Sequence, residues 1–401
     1  MRNNTLIVDM DRHVNEPPNL FTTYLSKKEQ ALYLPTVKSM APEGETFSER
    51  LTRLDEYACF PAPDQIMIND SPLWQAMSEK VTIELNIQQQ SRSADIESAT
   101  FAQGHLDDMN RKNIDISVLL PNHGSYYVYN DNIDAIQSAA YAKAYNRWLK
   151  DLSSVNTDRL HGAALISRHD PQKMVADVIE AHNQGFTSVA LQSSPVKGIP
   201  LESKAYFPFW RACEEREISI IFHSFTHSNV PILGSNLYES RFGKFSCSHI
   251  MEAMSGILSL MTSGTLEHFP KLKFAFLEAG CGWLPHWLWR LDELAYPSLK
   301  NEVKENIKQL PSEYFERQIW LAIEPDELML KESIQHIGAH KLLFGSDFPH
   351  MDHESDNIQE VQKLENQIGK GSVDKILGLN ALDFFGESYK SSLDLSKFMK
   401  A

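Results

Sequence analysis

The chain has 401 residues, of which 42% are hydrophobic and 23% charged, so it can bury a large core as one big domain or two ordinary ones. This composition excludes a disordered chain, a collagen-like chain and a small disulfide-stapled fold. The formal net charge is −15, from 38 Lys and Arg against 53 Asp and Glu. Because so acidic a surface repels nucleic acid and anionic membranes, we expect neither as a partner.

The cysteines and the N-terminus indicate where the protein resides. Four cysteines without CxxC or other zinc-ribbon spacing are typical of a reducing compartment. The apolar run at the N-terminus is too short for a signal peptide, and no stretch approaches the roughly 18 to 20 apolar residues of a membrane helix. We therefore expect a soluble, cytoplasmic protein with a small-molecule substrate and four free thiols that mostly pack in the core: Cys59, Cys213, Cys247 and Cys281.

Short apolar runs rich in β-branched residues recur along the chain and are typical of buried strands. Segments with helical spacing lie between most of them. Residues 171–184, for example, begin with proline, repeat apolar side chains with a period of 3.6 and end before a glycine. Shorter helical segments are predicted at 206–217 and 331–336. The eight predicted strands are residues 5–9, 116–120, 162–166, 187–191, 219–223, 273–278, 318–323 and 341–345.

Eight alternations of strand and helix predict an α/β protein with a (β/α)8 TIM barrel, in which a helix covers each parallel strand. An open doubly wound sheet is the rival architecture, but no GxGxxG motif follows the first strand. Residues 16–111, between strands one and two, are too many for a loop. We expect a single domain over residues 1–401, with residues 20–110 inserted as a cap over the mouth of the barrel.

Chemistry in (β/α)8 enzymes takes place at the carboxyl ends of the strands, where this chain has several metal-binding types of residue. Strand one runs into an aspartate and a histidine, which the two-residue period of a strand places on one face. Three later strands end in a histidine or an acid. These strand-end residues are Asp11 and His13 on strand one, His223 on strand five, Glu278 on strand six and Asp347 on strand eight.

Asp11, His13, His223 and Asp347 form a mixed carboxylate and imidazole set suited to one divalent ion, zinc or manganese. Taken singly, His223 can be a hydrogen-bonded histidine and Asp11 an exposed turn acid. Together the four residues end three strands that a barrel brings close, each after an apolar run that offers no compensating charge. The set therefore predicts a metal site at the mouth of the barrel.

Sequence motifs around these strand ends follow one another in a specific order. They are VDMDRHVNEP at 8–17, the single His223, FPKLK at 269–273, EAGCGWLP at 278–285, RLDE at 290–293 and FGSDFPH at 344–350. In order and spacing they resemble the amidohydrolase superfamily, in particular the branch around aminocarboxymuconate-semialdehyde decarboxylase. The resemblance covers nearly the whole chain, to Asn380 and Ala381. It implies a (β/α)8 barrel with one divalent ion bound by Asp11, His13, His223 and Asp347.

Two positions depart from the pattern of that family. The better-known members have His-x-His on strand one, where this chain has Asp11 and His13, although some decarboxylases of the branch are similar in using a carboxylate there. Those members also carry a catalytic histidine at the end of strand six, where this chain has Glu278. The second departure favours hydrolysis of a C–N or C–C bond in a small cyclic or carbonyl compound over the decarboxylase mechanism.

A divalent ion can lower the pKa of a coordinated water from 15.7 to about 7 or polarise a substrate carbonyl or carboxylate. We expect Asp347 to be the base that passes a proton from water to the leaving group. Glu278 is a second acid/base or a substrate anchor, or else a buried carboxylate paired with Arg290. Decarboxylation of a small aromatic or unsaturated carboxylic acid uses the same ion and stays an alternative. A silent binding protein is a third, although no ligand position is damaged.

Four further residues are candidates for substrate contact. His123 follows strand two in a loop that should border the mouth, and His350 lies just after Asp347, where it can also support that ligand. Arg12 faces away from the ligands by strand parity, so it can pair with a neighbouring strand or reach a substrate carboxylate. His227 is a substrate candidate or only caps a loop. The sequence is also compatible with a homo-oligomer such as a dimer.

Overall fold

Eight parallel strands follow one another around the molecule in the order of the chain. The computed structural model describes residues 5–38, 65–73, 93–225, 230, 232–234, 237–350 and 357–398. The eight-stranded sheet has the order β1-β5-β6-β7-β8-β9-β10-β11 with parallel neighbours, which confirms the predicted (β/α)8 barrel. Its strands are β1 Val8–Val14, β5 Ile116–Pro121, β6 Leu160–Leu165, β7 Ser188–Leu191, β8 Ser219–Phe222, β9 Phe274–Phe276, β10 Ile319–Ala322 and β11 Leu342–Leu343.

The residues after β11 close the barrel against β1. The Met10 N–H donates to the Phe344 carbonyl at 2.9 Å, and the His13 N–H donates to the Phe348 carbonyl at 2.7 Å. In the other direction, the Asp347 N–H donates to the Asp11 carbonyl at 2.8 Å. Closure of the barrel therefore places Asp347, which follows the last strand, beside the polar residues of β1.

Helices cover the outside of the barrel, because their apolar faces bury the outer side chains of the strands. The strand residues are buried on both faces, as expected for a parallel sheet between helices and a packed interior. The helices between and after the barrel strands are Ala102–Lys112, Gly124–Val128, Ala135–Ser153, Met174–Asn183, Phe207–Glu215, Arg241–Thr262, Thr265–His268, Leu284–Arg290, Tyr296–Val303, Pro311–Gln318, Leu330–Ile337, Asn357–Lys363, Glu365–Ile368, Lys370–Asp374, Asn380–Phe385 and Glu387–Ser392.

The predicted cap is described only in part. Its described elements include the helices Leu20–Tyr24, Lys27–Tyr33 and Ser93–Ser98 and a three-stranded antiparallel sheet of β2 Thr36–Lys38, β3 Gln65–Ile68 and β4 Ser71–Pro72. The helix Ala102–Lys112 contacts β1 directly, through the Asp108 carboxylate on Arg12. This helix therefore packs against β1, and the cap over residues 20–110 stays a prediction.

Strand β1 begins later than predicted and runs through the polar residues instead of ending before them. It can do so because its backbone is paired on both sides, with β5 and with the segment after β11. The pairing with β5 shifts register between Asp9 and Arg12. Within this irregular stretch the Asp9 carboxylate accepts from Ser346 Oγ and contacts Arg12.

The structure bears on the predictions about free thiols and membrane helices. Cys213, Cys247 and Cys281 are buried free thiols, as predicted, whereas Cys59 lies outside the described residues. Within the described ranges, no helix is both long and apolar enough to cross a membrane.

Candidate metal centre

The inner face of β1 supplies the first two side chains of the site. Asp11 and His13 are 2% and 1% exposed, and His13 Nε2 lies 3.3 Å from Asp11 Oδ1. The other ring nitrogen, Nδ1, lies 3.0 Å from the Pro121 carbonyl oxygen. Because a carbonyl only accepts, this contact selects the tautomer with the proton on Nδ1 and leaves the Nε2 lone pair directed into the site.

His223 and Glu278 approach the same point from the ends of β8 and β9. His223 Nε2 lies 3.8 Å from Asp11 Oδ1 and 3.0 Å from Glu278 Oε1. Glu278 Oε1 is also 3.5 Å from His13 Nε2. The pairing of Glu278 with Arg290 is not formed, since Arg290 is exposed and the carboxylate contacts histidines instead.

Asp347 and His350 complete the cluster from the last barrel strand. Asp347 Oδ1 lies 3.3 Å from His13 Nε2 and 2.7 Å from His350 Nδ1. The approach to β1 requires glycine at position 345, because an added Cβ there would stand 2.6 Å from the Cβ of Asp11. The other nitrogen of His350, Nε2, lies 3.3 Å from Asn122 Oδ1 after β5, which orients the ring.

Both strand-end acids have an unusual backbone. Glu278 and Asp347 each have φ of 48°, in the left-handed region that costs about 1–2 kcal/mol for a residue with a side chain. Such strain persists only where the surrounding structure enforces it, and it concentrates at functional sites. The chain therefore gives up stability at the two positions where the carboxylates turn toward the cluster.

The residues present fit a divalent metal ion. Ligand atoms of Asp11, His13, His223 and Glu278 lie within 4.8 Å of one another, and so do those of His13, Glu278, Asp347 and His350. Asp11 Oδ1 and His13 Nε2 are buried without a hydrogen-bond partner among the described residues, although buried polar atoms are ordinarily satisfied. A mixed nitrogen and oxygen set is what zinc and manganese accept. The structure thus brings together all four predicted ligands and both predicted catalytic acids.

The charges of the cluster shift its pKa values in opposite directions. Burial alone would lower the pKa of His13, but the carboxylates of Asp11, Asp347 and Glu278 outweigh burial and raise it well above its ordinary value. Burial would likewise raise the pKa of Glu278, yet the nearby histidines, His249 foremost, hold it well below its usual range. Carboxylates and histidines here stabilise each other's charged forms, as neighbouring groups of opposite charge do.

Two residues of the site were not identified from the sequence. His249 Nδ1 lies 2.9 Å from Glu278 Oε2, but it comes from the helix Arg241–Thr262 and not from a strand end. Glu324 directly follows the strand predicted at 318–323, so the strand-end rule that selected Glu278 could have found it. Burial and the charges of Glu278 and Asp347 raise the pKa of Glu324 to about 9.

The structure contradicts substrate contact by Arg12. Its side chain is fully buried on the far side of β1, where the guanidinium donates to Asp108 Oδ2 at 2.5 Å and to His105 Nδ1 at 3.1 Å. It also lies 3.4 Å from Asp9 Oδ2, with its central carbon 4.1 Å from the Phe348 ring. Strand parity gave the right direction for this side chain, and the pairing partners come from a barrel helix rather than a neighbouring strand.

The loop after β5 places His123 beside the cluster together with aromatic side chains. Burial, followed by the charges of His350 and His13, lowers the pKa of His123 to about 4, so its ring is neutral. The ring of Tyr126 lies 5.8 Å from His123 and 5.5 Å from Phe225. His227, the remaining predicted substrate residue, lies outside the described residues.

Comparison with known proteins places this geometry in a family. The family model described as Amidohydrolase matches residues 94–386, well over half of the chain. The chain therefore belongs to the amidohydrolase family, and it is a metal-dependent enzyme of that superfamily.

Solved structures with the same fold include an amidohydrolase of Mycobacterium avium subsp. paratuberculosis K-10, at TM-score 0.72 and 20% identity, covering 96% of this chain and all of that one. The 2,6-dihydroxybenzoate decarboxylase from Rhizobium matches at TM-score 0.63 and 18% identity over 95% of this chain and 98% of its own. A dihydroxybenzoic acid decarboxylase from Polaromonas sp. JS666, solved with manganese and 2-nitroresorcinol, matches at 0.64 and 18% over 95% and 97%. At such low sequence identities, the similarity of these structures to the chain shows that they share its fold.

Proposed function

We propose that this enzyme is a hydrolase that cleaves a C–N or C–C bond of a small cyclic or carbonyl-containing compound. The observation that carries the proposal is the pair of carboxylates around His13, with Asp347 Oδ1 at 3.3 Å and Glu278 Oε1 at 3.5 Å from Nε2. Hydrolysis needs one group that takes a proton from water and one that gives a proton to the leaving group. Two acids beside one metal-type cluster suit that exchange.

Asp11, His13, His223 and Asp347 are the proposed ligands of one divalent ion. We favour zinc and place manganese second, because the set mixes two imidazoles with two carboxylates. When bound, the ion would supply Lewis acidity toward a substrate oxygen and a water of lowered pKa. The manganese in the Polaromonas decarboxylase supports a single divalent ion in a protein of this fold.

The other side chains have proposed roles in moving protons and orienting the substrate. Asp347 accepts the proton of the attacking water, and His350 holds its carboxylate through the 2.7 Å contact at Nδ1. Glu278 faces the substrate and transfers the second proton. His123 and His350, which border the cluster beside β5, contact the substrate.

Decarboxylation of a small aromatic or unsaturated carboxylic acid is the second candidate. It is favoured by the decarboxylases among the solved structures of similar fold, of which those from Rhizobium and Polaromonas each match 95% of this chain. The same ligands would serve both reactions. They differ in whether water or the substrate carboxylate takes the open position at the ion.

Metal-loaded protein screened against amides, lactones and aromatic carboxylates tests the proposal. Once turnover is found, the reaction is repeated in 18O-labelled water. Hydrolysis puts the label into the product, whereas decarboxylation releases carbon dioxide and leaves a solvent proton on carbon. Carbon dioxide without label in the remaining product would establish the second candidate instead. Turnover that survives complete chelation of metal would overturn both.

A further inference from the structure

His249 stands against the side of Glu278 that faces away from the metal-type cluster. The two carboxylate oxygens of Glu278 are divided between partners: Oε1 lies 3.0 Å from His223 Nε2 and Oε2 lies 2.9 Å from His249 Nδ1. The imidazole of His249 is only 14% exposed and packs edge to face with His223, with ring centroids 5.9 Å apart. Each carboxylate oxygen of Glu278 thus has a histidine of its own within ion-pair distance.

A break in a helix brings His249 to this position. The helix Arg241–Thr262 is interrupted at Ser248 and His249, where the φ and ψ angles are −56° and −144° for the first and 9° and −68° for the second. A continuous helix would carry residue 249 along the regular helical path. The interruption redirects the backbone at the very residue whose side chain meets Glu278.

The broken helix is fixed to the barrel immediately beyond the interruption. Glu252 is 2% exposed, and its carboxylate accepts from Ser224 Oγ at 2.9 Å and from the Leu233 N–H at 2.7 Å. It also accepts from Ser194, after β7. Because Ser224 directly follows His223, this network ties His249 to the strand end that carries a proposed ligand.

We propose that His249 is a positioning residue that holds Glu278 with one oxygen directed at the reacting groups. The inference rests on the proposed function, in which Glu278 transfers a proton. The backbone of Glu278 is in the left-handed region at φ 48°, a strained conformation that persists only where neighbouring groups enforce it.

Two substitutions separate the contact from the fold. His249→Ala removes the contact, whereas His249→Asn keeps an N–H near the place of Nδ1. We expect His249→Ala to lower kcat by about 10- to 100-fold with little change in KM, the range seen when a partner behind an active-site group is lost. His249→Asn should recover part of the loss. Met251→Ala, two residues along the same helix at an exposed position, is the matched control and should behave as wild type.

A double-mutant cycle tests whether His249 acts through Glu278. In the Glu278→Gln background, His249→Ala should cost no further activity, because the group it positions is already gone. An equal loss in both backgrounds, or unchanged kcat in His249→Ala alone, would overturn the inference.

Crystal structures of the metal-loaded proteins keep this test independent of the proposed function. We expect the Glu278 carboxylate to keep its orientation in wild type and His249→Asn and to lose it in His249→Ala. If Glu278 behaves so while every substrate class fails, the proposed function is wrong and the positioning role stands. If Glu278 is unmoved in His249→Ala, the positioning role is wrong whatever the enzyme turns over.

Discussion

The two faces of strand β1 both carry buried polar side chains, but their hydrogen bonding differs. On the outer face, Arg12 donates to Asp108 Oδ2 at 2.5 Å and to His105 Nδ1 at 3.1 Å. On the inner face, Asp11 Oδ1 and His13 Nε2 are buried and make no hydrogen bond within the part of the chain that the structure describes. The histidines differ accordingly. Burial and then Arg12 lower the pKa of His105 to about 3, whereas nearby carboxylates raise that of His13 against burial.

This difference separates polar residues that stabilise the barrel from polar residues that are suited to bind a ligand. A buried polar atom without a partner costs about 1–3 kcal/mol, which the outer face avoids and the inner face accepts. The inner face also gathers three carboxylates, those of Asp11, Glu278 and Asp347, around one histidine. A divalent cation would satisfy the orphaned atoms and the excess negative charge together.

The largest expected effect is loss of the metal when inner-face ligands are removed. His13→Ala combined with His223→Ala should abolish both stoichiometric metal and turnover, since half of the ligand set is gone. Elemental analysis of purified protein measures the metal. The control is His105→Gln, on the helix Ala102–Lys112 that contacts Arg12 of β1, which should keep its metal. A double variant that still carries one ion per chain would refute the ligand assignment.

The next effect distinguishes the two acids within the inner face. Asp347→Asn preserves shape and an oxygen ligand but removes the proton acceptor, so kcat should fall by about 10²- to 10⁴-fold while much of the metal remains. Glu278→Gln should spare the metal and reduce turnover or substrate affinity. Measurements of kcat, KM and metal content in both variants distinguish the roles of the two acids. Near-wild-type turnover in Asp347→Asn would favour an ion that acts only as a Lewis acid, as in a decarboxylase.

The sequence predicted the barrel and the metal-type cluster because both depend on strands. All eight apolar runs form the barrel strands, and a barrel necessarily brings the ends of its strands together. His249 was missed because a local break in a helix, which no periodicity signals, carries it to Glu278. Substrate contact by Arg12 was a wrong prediction because its partner Asp108 lies 96 residues further along the chain. Tertiary contacts of this kind leave no mark in local sequence.

The outer face should respond in stability rather than in metal content. Arg12→Leu leaves Asp9 without its buried cation and removes the buried partner of Asp108 Oδ2, and breaking such a pair costs about 3–5 kcal/mol. Arg111→Leu is a close control, because Arg111 contacts the same Asp108 at 3.2 Å but its side chain is 65% exposed. That exposed pair should contribute less than about 1 kcal/mol. Urea unfolding compares the two, and equal losses would show that burial of Arg12 is not what matters.

The smallest effect is a pH dependence that belongs to the outer face alone. His105 is neutral in the folded protein: Nδ1 accepts from Arg12, and Nε2 lies 2.9 Å from the Ala99 carbonyl oxygen, to which it donates. Protonation of Nδ1 would break the first bond and set a second positive charge beside the guanidinium.

Because the folded pKa of about 3 lies below the ordinary 6.5, the unfolded chain binds a proton first as the pH falls. The stability supplied by neutral His105 is therefore complete above pH 6.5 and declines below it. At pH 5 the difference amounts to about 2 kcal/mol, from 1.36 kcal/mol per pKa unit. His105→Gln should remove this part of the acid sensitivity, so that its loss of stability between pH 7 and pH 5 is smaller than that of wild type. His286→Gln, at an exposed position, should keep the wild-type slope. If His105→Gln also keeps the wild-type slope, the charge state of His105 is not the source of this acid sensitivity.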